Sequence, residues 1–184
     1  MPPNNILKVG NYNIKAGDTF FFDNNIWMYI YCPLANFQKD KRQAVYSKFY
    51  QYALSRKSHI YINTLVLSEF CNRYLRLDFD LCNKTGKPQY FSSFKKDYVG
   101  SHQFIKTVSE IKIHLNNILK FSQRCSDEFN AINMDDVLAL FQSIGFNDSY
   151  YTYQAKRKNW VVVSDDSDMA ANNIPQAGIT VLTY

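Results

Sequence analysis

Five acidic residues stand beside segments that read as β-strands or as the helices feeding them. Asp23 directly follows the apolar run Thr19-Phe20-Phe21-Phe22. Glu69 lies about two turns into the helix that follows His59-Ile60-Tyr61-Ile62. Asp148 opens the helix that feeds Trp160-Val161-Val162-Val163, and Asp166 and Asp168 come just after that strand. Gathered carboxylates repel one another and raise their own pKa values. A hard divalent cation such as Mg²⁺ or Mn²⁺, which takes oxygen ligands, removes that cost. It can also lower the pKa of a bound water and polarise a phosphodiester. Singly, each acid has an ordinary use. Asp23 can cap a helix, Glu69 can sit on a solvated helix face, Asp148 can favour a helix N-terminus, and Asp165, Asp166 and Asp168 can form a turn. The chemical reading rests on their falling at strand ends together.

Patterning defines the scaffold that carries these acids. Residues 1–18 are polar and mixed and read as an N-terminal extension with little regular structure, leaving residues 19–184 as one domain. Thr19–Phe22 reads as a buried strand, with Asn24 or Asn25 capping a helix over Ile26–Tyr31. Asn36–Lys57 reads as an amphipathic helix and His59–Ile62 as a second strand, after which Asn63 caps a helix carrying Glu69. Leu77–Gly100 is less regular, contains Lys84-Thr85-Gly86-Lys87-Pro88, and is expected as an insertion. Further helices are expected over Gln103–Phe121, over Met134–Ile144 (stopped by Gly145) and over Asp148–Lys158. Trp160–Val163 and Ile179–Leu182 are the last strands. Short apolar strands without in/out alternation, separated by helices, predict an α/β fold: a parallel central sheet with helices on both faces. In such sheets ligands collect beyond the carboxyl ends of the strands, which is where the acids fall.

These residues resemble the PIN-domain nucleases, the fold shared by VapC-like toxins and several RNA-processing endonucleases. Phe20-Phe21-Phe22-Asp23-Asn24-Asn25-Ile26 is similar to the family's strand, Asp, polar pair and apolar residue. Ile60-Tyr61-Ile62-Asn63-Thr64-Leu65-Val66-Leu67-Ser68-Glu69-Phe70 resembles the second motif. Asp148 opening a helix, followed by Ala155, resembles the third, and Val161-Val162-Val163-Ser164-Asp165-Asp166-Ser167-Asp168-Met169 the fourth. Gly178 to Thr183 suits the last strand. The resemblance implies an α/β/α sandwich in which Asp23, Glu69, Asp148 and Asp166 are metal-binding acids, with Asp168 as a supporting or second-metal ligand. It gives Asn25 and Ser164 hydrogen-bonding roles beside them. It further implies Mg²⁺- or Mn²⁺-dependent hydrolysis of RNA by a toxin-type endoribonuclease, an antitoxin partner and a homodimer. The alternatives are a free-standing RNA-processing nuclease and a PIN-like RNA-binding or interaction module without activity.

Composition narrows the rest. Of the 184 residues, 46% are hydrophobic and 20% charged, a globular profile. A net charge of +5 is compatible with a polyanionic partner. Lys95, Lys96, Lys156 and Arg157, near aromatic residues, are candidate nucleic-acid contacts. Cys32, Cys71, Cys82 and Cys125 form no C-x-x-C pair and read as reduced thiols, and no His takes a catalytic role. The start of the chain lacks a signal-peptide pattern, and no window approaches the ~18 apolar residues of a membrane helix, so a cytoplasmic location is expected. Asp78-Phe79-Asp80 resembles a phosphatase nucleophile pair and Asp165-Asp166 a receiver pocket. The first lacks a convincing preceding strand and the second lies too near the end of the chain.

Overall fold

The computed structural model describes residues 5–34, 40–170 and 178–184. Six strands form one sheet: β1 (Asn5–Lys8), β2 (Thr19–Phe22), β3 (His59–Ile62), β4 (Gln123–Arg124), β5 (Val161–Val163) and β6 (Thr180–Thr183). Their order is β1-β6-β5-β2-β3-β4, and every pairing is parallel. The helices are α1 (Asn24–Tyr31), α2 (Lys41–Ser55), α3 (Thr64–Thr85), α4 (His102–Phe121), α5 (Met134–Phe141), α6 (Phe146–Lys158) and α7 (Ser167–Ala170). The expected α/β architecture is the one observed.

β2 and β5 lie at the centre because their side chains tolerate burial on both faces. Phe20, Phe21, Phe22, Val162 and Val163 are all fully buried. In a strand successive side chains point to opposite faces. Phe20 and Phe22 pack against Phe49 of α2 at 5.4 and 6.1 Å between ring centres, and Phe22 also meets Trp27 of α1. Phe21 points the other way, to Tyr151 of α6 and to Trp160, whose ring is stacked on it at 5.4 Å. Helices therefore cover both faces, and each aromatic so buried contributes about 2–3 kcal/mol of transfer free energy.

Several boundaries differ from expectation, each for a local reason. Residues 5–8 are a strand, not irregular chain: Asn5–Lys8 pairs in register with Thr180–Thr183 and covers the edge of β6. α1 begins two residues early because Asp23 itself is the cap, accepting from Asn24 N at 2.5 Å. α2 begins at Lys41, capped by Asp40; the earlier start expected at Asn36 lies outside the described residues. α3 runs on to Thr85 and ends at Gly86, whose left-handed φ of 66° a side chain would resist. Leu77–Thr85 is therefore helix, and the loop begins only at Gly86. α5 stops at Phe141 rather than Ile144. Gly145, with φ −56°, caps the start of α6 and does not end α5 in the left-handed form. β4 went unseen because two exposed residues carry no pattern.

α3 and α4 form an antiparallel hairpin, with Tyr74 beside His114 and Asp78 beside Thr107. At 22 residues α3 is about 33 Å long, whereas a four-residue strand spans about 13 Å, so its second half outruns the sheet. That half has its own small core, Cys82, Phe91 and Tyr98 with Leu75, Phe79, Phe94 and Phe104 packed around them.

Candidate functional site at the carboxyl edge of the sheet

The strand order reverses at β2, which pairs with β3 on one side and β5 on the other. A crevice opens beyond the carboxyl ends of strands at such a switch point. Asp23 leaves β2 there and Ser164 leaves β5 beside it. The register Phe22↔Val163 makes their neighbours meet.

Asp23 is 6% exposed and fixed by three donors. Asn24 N donates to Oδ1; Asn25 Nδ2 (2.6 Å) and Ser164 Oγ (2.7 Å) donate to Oδ2. Burial pushes its pKa up to about 6, aided by the charges of Glu69 and Asp166 and opposed by the Ser164 and Asn24 hydrogen bonds. Asn25 also accepts from Asp165 N at 3.1 Å, and Ser164 Oγ accepts from Asp166 N at 3.1 Å. One Ser and one Asn thereby tie the loop after β5 to the start of α1.

Asp148 occupies the first turn of α6, a helix whose N-terminus faces this edge because α6 leads into β5. Its pKa is raised to about 7, first by burial and then by the charges of Asp23, Asp166, Glu69 and Asp168. A Cβ placed on the capping Gly145 would stand 2.9 Å from Asp148 Oδ2, so the absent side chain makes room for the carboxylate. Glu69, five residues into α3, accepts from Asn147 Nδ2 at 2.5 Å and from Tyr151 Oη at 2.8 Å. Sequence reading missed Asn147 and Tyr151. Tyr151 is buried and aims its hydroxyl at Glu69. Asp166 Oδ1 accepts from Asp168 N at 2.8 Å, starting α7, and Asp168 is exposed.

Asp165 is committed elsewhere. It accepts from Arg42 Nη1 (2.8 Å), Tyr46 Oη (2.8 Å) and Tyr29 Oη (3.1 Å), and its side chain is 9% exposed. Of the three acids after β5, it is the one already neutralised. Arg42, Tyr29 and Tyr46 were not singled out from the sequence.

The charges of Glu69, Asp166 and Asp168 thus reach Asp148, and those of Glu69 and Asp166 reach Asp23. Among the described residues, however, no three His, Cys, Asp or Glu side chains are close enough to hold a metal ion as they stand. Their charges nonetheless bear on one another. The donor set suits a hard cation: it consists of carboxylate oxygens, and two of the carboxyls have pKa values raised by burial and by like charge. Asn24 Oδ1, next to Asp23 in sequence, is also buried without a hydrogen-bond partner.

The candidate nucleic-acid contacts stand apart from this edge. Lys156 and Arg157 lie in the last turn of α6, eight and nine residues beyond Asp148, or about 12–14 Å along the axis. Arg157 Nη1 donates to Ala131 O. Lys95 and Lys96 belong to a wide helical turn, Phe94–Tyr98, packed on the far half of α3.

No family model matches the chain, and no curated relative matches it. A chain in the crystal structure of VapBC2 from Rickettsia felis bound to a DNA fragment from their promoter is similar, with a TM-score of 0.54 and 14% identity over 90% of this chain and 98% of that one. PAE2754 from Pyrobaculum aerophilum gives a TM-score of 0.47 and 15% identity over 89% and 91%. At such identity the first likeness is one of fold, and it agrees with the PIN-like sandwich that the motifs implied. No helix among the described residues is long and apolar enough to cross a membrane.

Proposed function

We propose that the chain is a Mg²⁺- or Mn²⁺-dependent endoribonuclease of the PIN type, with Asp23, Glu69, Asp148 and Asp166 as its metal-binding acids and Asp168 supporting them. The observation that carries this reading is electrostatic. At the switch point of a parallel sheet, Asp23 is buried and Asp148 half-buried, with the charges of Glu69 and Asp166 bearing on both, and their pKa values rise. A divalent cation would offset that repulsion. A bound ion would supply an activated water and a polarised phosphodiester.

The residues present account for the rest. Ser164 and Asn25 hold Asp23 Oδ2 from one side, leaving Oδ1 with the single donor Asn24 N. Asn147 and Tyr151 fix both oxygens of Glu69. Gly145 leaves space for the Asp148 carboxylate that lies against it. Asp165, paired with Arg42, adds no further negative charge to the pocket.

By the same resemblance the enzyme acts as a toxin restrained by an antitoxin and pairs as a homodimer in the cytoplasm. The test is cleavage of single-stranded RNA with Mn²⁺. Wild type is expected to cut, and Asp23→Asn and Asp166→Asn to lose at least about 100-fold in rate, the scale of removing a charge-stabilising group. Cleavage that survives both substitutions defeats the proposed site. No cleavage by any form, with RNA still bound, favours the binding-module reading. Growth arrest on expression of wild type but not Asp23→Asn is expected for a toxin.

A further inference from the structure

The far end of the α3–α4 hairpin is packed on a core of its own, and its surface is cationic. Its small core is separate from the main one. A single buried carboxylate locks it: Asp78, 6% exposed, accepts from Tyr98 Oη (2.6 Å), Thr107 Oγ1 (2.8 Å) and Gln103 Nε2 (2.9 Å). This joins α3, the turn before α4, and α4 itself. Asn83 closes the intervening loop by pairing with both Phe91 N and Phe91 O.

Residues 76–106 carry six cations, Arg76, Lys84, Lys87, Lys95, Lys96 and Lys106, against three acids. Asp78 is buried and occupied, and Asp97 is bonded to Ser92 Oγ and Ser93 N. All six cations are exposed, and none takes part in the ion pairs found among the described residues. About a sixth of the chain thus holds more than a quarter of its 21 Lys and Arg. Aromatic surface lies among them. Tyr90 is 68% exposed, and the Arg76 guanidinium sits 3.8 Å above the Phe94 ring. Cations outside any ion pair, interleaved with ring faces and held in place by a dedicated core, suit a flexible polyanion that also has rings to stack.

We propose that this hairpin tip is a second, remote binding surface for single-stranded RNA, which grips a strand whose cleavage point lies at the acidic edge. The proposal deepens the nuclease reading and rests on it only for the word cleavage. From Glu69 to Asp78 is nine helical residues, about 14 Å, and to Lys84 fifteen, about 22 Å. A strand must therefore run several nucleotides to reach both places. RNA longer than that gains affinity from the tip and a very short one does not.

The experiment measures binding without cleavage. Asp23→Asn protein in chelator is titrated into a fluorescein-labelled RNA of about 16 nucleotides and one of about 4. The variants are Lys84→Gln with Lys87→Gln, Lys95→Gln with Lys96→Gln, and all four together. A control replaces Lys41, Lys48, Lys57 and Lys112 by Gln; these are equally exposed elsewhere. The fourfold tip variant is expected to bind the long RNA at least about 10-fold more weakly and to flatten the dependence of log Kd on log salt by about 0.7 per lost phosphate contact. Its unfolding temperature should be unchanged, and the control should lose much less. An unchanged affinity, an equal loss in the control, or an equal loss against poly-glutamate each overturns the proposal. Because no metal is present, an absence of nuclease activity in wild type leaves this result standing, and the two readings fail separately.

Discussion

At the scale of the residue, the acidic edge is held in tension. Asp23 and Asp148 carry pKa values raised to about 6 and about 7, so the fold binds protons that the unfolded chain would release. A carboxyl raised in this direction contributes stability below its unfolded pKa and loses it as pH climbs through the folded value. Metal-free protein should therefore become less stable between about pH 4 and about pH 7, by roughly 1–3 kcal/mol. Asp148→Asn should flatten that decline. Thermal unfolding in chelator checks both, and a wild-type curve that rises over the interval, with the variant tracking it, contradicts the assignment. Added Mn²⁺ should restore most of the lost stability above about pH 7 in wild type only. Asp23 and the acids after β5 were legible because each follows an apolar run that could only be a strand. Their partners were not. Asn147 and Tyr151 meet Glu69 from 78 and 82 residues away, and no local pattern encodes that meeting.

At the scale of the element, α2 is pinned to the loop after β5 through Arg42, which bridges Asp40 and Asp165 and lies over the Tyr29 ring. Asp40 is held down to about 2 by those Arg42 hydrogen bonds, while Tyr29 and Tyr46 are pushed upward by burial and by the Asp165 charge. Removing Arg42 leaves Asp165 nearly buried and short of its counter-charge. Arg42→Leu is thus expected to destabilise by about 2–4 kcal/mol, read as a lower denaturant midpoint. Asp165→Asn keeps the tyrosine bonds and should cost less. It should also leave Mn²⁺-dependent cleavage largely intact, in contrast to Asp166→Asn. Equal loss of cleavage in the two would mean that Asp165 takes part directly. The helices themselves were mostly legible from spacing and caps, as Asn63 before α3 illustrates. The extent of α3 was not. Its second half buries Phe79 and Cys82 against a local cluster rather than the sheet, so the apolar rhythm that marks a core-facing helix weakens after Leu77.

For the molecule as a whole, β1 is the element that finishes the sheet. Asn5–Lys8 covers β6, whose Val181 and Leu182 are fully buried. Deleting residues 1–8 should expose that edge, lower the unfolding temperature by several degrees and promote self-association, visible by light scattering. A deletion as stable and monodisperse as the full chain would show that the strand is dispensable. The sheet order also has a bearing on when the protein can act. Asp23 reaches Ser164 across 141 residues of sequence, because the two central strands are neighbours in space but far apart along the chain. A chain emerging from the ribosome exposes Asp23 early and must extend by those 141 residues before β5 arrives beside it. The proposed acidic site is thereby incomplete until that stretch has been made.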